Sequence, residues 1–109
     1  MRTYIAGPMT GIPEWNYPAF HAAAETLEAM GDEPLNPAVQ DLDFARAHKD
    51  DPDLIRQVYL RHDLAMLSQA ERIAVLDGWE KSKGATWEVS VGRMLGLPVV
   101  RFGTWETVE

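Results

Sequence analysis

Cysteine is absent from the 109 residues. That excludes a disulfide framework, a thiolate nucleophile and cysteine-held zinc. Cations are scarce: 10 Lys and Arg stand against 17 Asp and Glu, for a formal net charge of −7. Such a chain is badly suited to gripping a nucleic-acid backbone or an anionic membrane surface. No apolar run approaches the roughly 18 residues of a membrane span. The stretch Met1–Gly11 lacks the apolar centre of a signal peptide. The three histidines (His21, His48, His62) show no metal-ligand spacing, so no metal and no cofactor is expected. These absences lead to the expectation of a soluble cytoplasmic protein that binds neither nucleic acid nor membrane. Repeats, low-complexity tracts and linkers are missing too. Hydrophobic residues make up 46% and charged residues 25% of the chain, a globular composition sufficient for one core. A single domain over residues 1–109 follows.

Short apolar runs alternate with amphipathic stretches, the rhythm of a parallel βα sheet. Residues 2–6 read as a first strand, stopped by Gly7-Pro8. A Gly- and Pro-rich loop then runs to Trp15, and Asn16 is expected to cap a first helix that tolerates Pro18 in its first turn. Phe20, Ala23, Ala24, Leu27 and Met30 recur at helical spacing, with His21, Glu25 and Glu28 opposite. Residues 33–36 make a second strand. Residues 37–51 read as an irregular stretch, either a lid or a surface loop with a helical turn near Phe44–His48. Asp51-Pro52 opens a second helix running to about Ser68. Residues 72–76 make a third strand, buried on both faces. A turn over Asp77–Ser82 leads to a third helix that ends near Leu95, and residues 98–102 make a fourth strand. The tail from Gly103 stays unassigned. The sum is an α/β fold, a compact Rossmann-like parallel sheet flanked by helices with flavodoxin-like strand order 2-1-3-4. Ligands of such sheets bind beyond the strands' carboxyl ends where the order reverses. That places the loops Gly7–Asn16 and Asp77–Gly84 around one crevice.

Two carboxylates stand where apolar residues belong. Glu88 shares the inward stripe of the third helix with Ala85, Val89, Gly92 and Leu95 or Gly96. It is either paired or functional there, or leans to the rim toward the helix N-terminus. Asp63 is surrounded on its helix by Tyr59, Leu60, Met66 and Leu67. Arg61, Arg72 or a backbone amide could serve it as a structural partner. Two inward acids converging at the end of the third strand are the equipment for glycosidic bond cleavage. With Asp77 they could instead hold a divalent cation.

The loop Gly7-Pro8-Met9-Thr10-Gly11 has the character of a ligand-cradling turn, without the Lys of a Walker loop or the dinucleotide spacing. Ser82 and Gly84 offer a hydroxyl and backbone amides to an anion or a sugar hydroxyl, or simply cap the helix. Trp15 and Trp79 lie in the two crevice loops. There they could stack a nucleobase, form an oligomer contact, or pad a satellite core.

These residues resemble a known family. Tyr4-Ile5-Ala6-Gly7-Pro8-Met9-Thr10-Gly11, Asn16-Tyr17-Pro18-Ala19-Phe20, Asn36-Pro37, Asp63-Leu64 and Gly78-Trp79-Glu80-Lys81-Ser82-Lys83-Gly84-Ala85 with Glu88 look like a small uncharacterised family common in phages and bacteria. That family resembles the nucleoside 2-deoxyribosyltransferase superfamily, which includes deoxynucleoside-5′-monophosphate N-hydrolases. The resemblance implies that Glu88, in the pattern Ser82, Gly84, Glu88, is the nucleophile. It implies that Tyr4 orients Glu88, that Asp63 passes a proton to the leaving base, and that Gly7 contacts sugar or phosphate. It further implies a homodimer or larger homo-oligomer acting on a small nucleoside or nucleotide. Where the hydrolases carry a first-loop arginine, this chain has Met9-Thr10-Gly11, so phosphate recognition would fall to Arg61, Lys81 or Lys83. A catalytically inactive nucleotide-binding or sensing module of the same fold is the competing implication.

Overall fold

Tyr4 and its strand neighbours form the middle of the sheet. In the computed structural model, which describes residues 1–39 and 42–109, strand β1 (Arg2–Ala6) is flanked by β2 (Glu33–Leu35) and β3 (Arg72–Val75), and β4 (Val99–Arg101) lies outside β3. All pairings are parallel and the order is β2-β1-β3-β4, as the alternation of strand and helix signals predicts. Tyr4 lies opposite Leu35 on one side and Ile73 on the other.

Period-two alternation sends successive β1 side chains to opposite faces. Tyr4 and Ala6 join Leu67, Ile73, Val75, Trp79, Ala85 and Val89 under helices α3 (Pro52–Gln69) and α4 (Lys83–Met94). Ile5 turns the other way, to Phe20, Ala23 and Leu27 of α1 (Tyr17–Ala29). The second and third helices of the sequence reading are thus α3 and α4. Between β2 and α3 runs the short α2 (Leu42–Ala47), whose Phe44 ring stacks on His48. This is the helical-turn alternative for residues 37–51; Gln40 and Asp41 of that stretch lie outside the described residues. Gly92 lets α4 lie close to the sheet, because a Cβ there would collide with Ile73 Cδ1.

The capping expectations divide. Asp51 Oδ1 accepts from Leu54 N at 3.1 Å, and Ser82 Oγ accepts from Ala85 N at 3.1 Å, as read from sequence. Asn16 does not cap α1. Its backbone is left-handed (φ 60°), and its side chain donates to Pro8 O at 2.9 Å instead. Glu14 and Trp15 before it are left-handed too, both at φ 56°. Conformations of this kind cost L-residues roughly 1–2 kcal/mol each and persist where surrounding structure imposes them. Met30 and Leu95, placed on apolar stripes by spacing, are 50% and 54% exposed, because each lies just beyond the last helical turn. Strands β2, β3 and β4 are each shorter than read.

Both sheet edges are closed. Glu33 N donates inward to Met1 O at 3.0 Å, so the next residue, Pro34, presents the outer edge, and proline has no N–H to offer another strand. At the far edge the tail turns back. Thr107 bridges Val100 in antiparallel sense, Arg101 N donates to Glu106 O at 2.8 Å, and Val108 N donates to Val99 O at 2.8 Å.

Candidate active site

The order reversal between β1 and β3 splits the two loops that follow them, and Gly7 keeps those loops together. A Cβ on Gly7 would come within 2.9 Å of Leu76 Cβ, while Leu76 N donates to Ala6 O at 2.8 Å. Pro8 reaches across to Gly78 in the second loop. Gly7 and Pro8 therefore line the reversal, with Met9 half-buried against the α1 side.

Beneath that rim lies Glu88. It sits in the second turn of α4, between Ala85 and Val89 on the buried face, and is only 7% exposed. The rim-leaning alternative is overturned. Tyr4, fully buried on β1, donates its hydroxyl hydrogen to Glu88 Oε2. Asp63 enters from α3, half-buried. Its charge reaches both other groups, raising the pKa of Tyr4 and of Glu88 and so disfavouring their ionisation. The structure thus gathers Tyr4, Asp63 and Glu88 from three elements. Arg72 is not a partner for Asp63: its Nη2 pairs with Asp32 Oδ2 at 2.7 Å.

Burial dominates the electrostatics. It pushes Glu88 up to about 8, with the Tyr4 hydrogen bond pulling the other way and Asp63 adding to the rise. Burial likewise pushes Asp63 up to about 7. The Tyr4 hydroxyl is held well above its ordinary range, first by burial and then by the charges of Glu88 and Asp63. Near neutrality the two acids therefore share protons. Chemically, such a pair can deliver one proton and one anionic oxygen to the same ligand.

The remaining candidates take other places. Trp79 packs into the core beside Tyr4 and Ala85, with its indole N–H buried and without a hydrogen-bond partner among the described residues. Trp15 is 57% exposed. Asp77 and Gly84 are exposed, as are Arg61, Lys81 and Lys83. The Ser82 oxygen is engaged as the cap of α4. Among the described residues no group of three or more His, Asp or Glu could hold a metal, and no helix is long and apolar enough to cross a membrane.

Sequence reasoning missed two tyrosines. The pKa of Tyr17, at the start of α1, is raised by burial and then by Tyr59 and Asp63, which puts both tyrosines near Asp63. Tyr59 was detectable as the residue one helical turn before Asp63. Nothing local marks Tyr17. Also missed was a groove of about 450 Å³ whose lining includes none of Tyr4, Asp63 and Glu88. It is lined by one face of α1 (His21, Ala24, Glu25, Glu28), the end of β2 (Pro34, Leu35, Asn36) and Met66 of α3.

Comparison with known proteins agrees with this architecture. The family described as Domain of unknown function (DUF4406) matches residues 1–101. The fold is similar to a solved 2-deoxyribosyltransferase from Bacillus psychrosaccharolyticus, with a TM-score of 0.68 and 19% identity, over 93% of this chain and 71% of that one. No curated protein matches. The chain has a nucleoside 2-deoxyribosyltransferase-like fold.

Proposed function

The chain belongs to the DUF4406 family, and from its 2-deoxyribosyltransferase-like fold and the site's geometry we propose that it cleaves or transfers the N-glycosidic bond of a deoxynucleoside, nucleoside or nucleoside monophosphate. The observation that carries the reading is the buried Tyr4–Glu88 hydrogen bond beside a second raised acid, Asp63. Glu88, as carboxylate, attacks C1′ while the bond to the base loosens, and a glycosyl ester forms. Asp63 gives its proton to the departing base nitrogen. Water, or a second base, then displaces Glu88 by a second inversion while Asp63, now a carboxylate, takes up the proton that the nucleophile releases, so configuration is retained. Tyr4 holds the Oε2 oxygen and favours the ionised form of Glu88. Gly7, Pro8, Met9 and Gly84 border the sugar, and Asp77, Trp79 and Ser82 support that border. In this reading no cofactor takes part, and the protein works in the cytoplasm on a small molecule as a homodimer or larger homo-oligomer.

The reactive form has one proton on the pair and it sits on Asp63. Rate should therefore follow a bell, with apparent limbs near 7 and 8 that belong to the pair. The burial that raises Glu88 and opposes its ionisation also favours a second reading, a nucleotide-binding module that retains the fold without turnover. Incubation with deoxynucleosides and their monophosphates, with chromatography for free base, tests the choice. Base release that disappears in Glu88→Gln supports the enzyme. Ligand binding without release, unchanged in Glu88→Gln, overturns it.

A further inference from the structure

His21 carries a hydrogen whose position the surrounding bonds decide. Ala38 N donates to Asn36 Oδ1 at 2.9 Å. That fixes the amide's orientation, so Asn36 Nδ2 is the donor in its 3.2 Å contact with His21 Nδ1. A ring nitrogen that accepts has no hydrogen of its own. Neutral His21 therefore carries its proton on Nε2, as a donor free for another molecule. Asn36 is 8% exposed, so the relay behind the imidazole is buried.

His21 stands in the groove of about 450 Å³ between α1 and β2, within the roughly 300–1,000 Å³ typical of small-molecule sites. Leu35 and Met66 give its lining apolar surface, and Glu25 and Glu28 follow His21 along the same helix face. The groove shares elements with the site of the acids. Leu35 is Tyr4's partner in the sheet register, Met66 is three residues beyond Asp63 on α3, and Tyr17, near Asp63, is one turn before His21 with their rings edge to face. We infer that this groove receives the nucleobase, and that it selects bases carrying an exocyclic amino group. The inference rests on the glycosidase reading above and names its substrate class.

The selection follows from counting donors and acceptors. The wall offers His21 Nε2–H as a donor and two acceptor-only carboxylates. Adenine and cytosine each bring an amino group with two N–H donors beside a bare ring nitrogen that can accept. Hypoxanthine and uracil bring a single ring N–H beside carbonyl oxygens, which the glutamates repel. The apolar side chains of Leu35 and Met66 can accept the ring's face. The same two carboxylates keep a phosphate out of the groove, so a monophosphate would have to extend the other way.

Two arms test the inference. Deoxyadenosine should be cleaved with kcat/KM at least about tenfold above deoxyinosine, and deoxycytidine above deoxyuridine, the worth of one charge-assisted hydrogen bond. Free adenine should shift the His21 ring signals in NMR titration of the full chain and bind about tenfold more weakly to the Glu25→Gln/Glu28→Gln double variant, whose exposed positions leave the core intact. Equal kcat/KM for amino and oxo substrates overturns the inference, as does adenine binding unchanged in the double variant. If no nucleoside is cleaved yet adenine binds here and the variant weakens it, the base site stands and only the glycosidase reading falls.

Discussion

Thr3 and Tyr4 are neighbours on β1, face opposite sides of the sheet, and each ends at a carboxylate. Thr3 Oγ1 donates to Asp32 Oδ2 at 3.0 Å, Arg72 Nη2 adds a contact at 2.7 Å and the N-terminal ammonium another at 3.3 Å. Burial opposes the charge on Asp32, but the bonds from Thr3, Arg72 and the N-terminus outweigh it and hold the carboxyl below its ordinary range. Tyr4 gives Glu88 one neutral hydroxyl, and the nearest charge that acts on Glu88 is another acid. Glu88 is pushed up. The first site stores its electrostatics as stability, because the cations are already present. The second has a proton and an anion in reserve, which only a ligand with developing positive charge can use. The difference lies in the partners, since both carboxylates are largely withdrawn from water.

The strongest way to sharpen the contrast is Glu88→Gln. Base release should fall by on the order of 10⁴-fold or more, the usual consequence of losing a nucleophile, while chemical denaturation at pH 8 should show a protein at least as stable as the parent. Asp63→Asn should cost roughly 10²–10³-fold in the same chromatographic assay, in the range of a lost general acid, and should remove one limb of the pH profile. At the other site, Arg72→Ala leaves Asp32 without its main cation and strips the guanidinium from the Trp105 ring, 4.8 Å away. A loss of about 2 kcal/mol in urea denaturation is expected, with the shape of the pH–rate profile unchanged. An altered profile would break the comparison.

Tyr4→Phe should lower the rate by about tenfold, the worth of one hydrogen bond to a charged group. It should also move the alkaline limb upward, because Tyr4 is the group that favours ionised Glu88. The smallest effect is the pH dependence of stability, where the two regions act with opposite sign. Glu88 and Asp63 rise from ordinary values of 4.5 and 3.8 to about 8 and about 7. The unfolded chain therefore releases those protons first as pH increases. Their contribution is full below about pH 4 and is lost as pH climbs toward 8. Asp32 is lowered, so its contribution is present above its ordinary value of 3.8 and is lost on acidification below it. Stability should therefore fall from pH 5 to pH 8 in the parent, and the fall should be shallower in Glu88→Gln.

Much of the fold was legible because parallel βα units leave strong local marks. Apolar runs of four or five residues between amphipathic stretches identify strands buried on both faces, and Asp51-Pro52 and Ser82 announce their helices through side chains that reach only three residues ahead. Asn16 carried the same signal and misled, because its side chain had a nonlocal alternative in Pro8 O. The tail gave no sign of its role. Its pairing with β4 is by backbone, and the Trp105 contact depends on Arg72, far away in the chain. Trp79 looked like a crevice aromatic until the packing of α4 enclosed it.

Glu88 and Asp63 stood out from sequence alone, since a charged residue at an inward helical position needs a reason whatever the fold. Helical spacing and residue chemistry determined that much, along with strand order and the absence of thiol chemistry. Only the tertiary structure decided that Tyr4 meets Glu88, that Tyr17 approaches Asp63, that His21 carries its hydrogen on Nε2, and that burial raises both acids. Each of these depends on how closely elements far apart in the chain exclude water between them, and desolvation is a property of the packed whole that no local stretch of residues encodes.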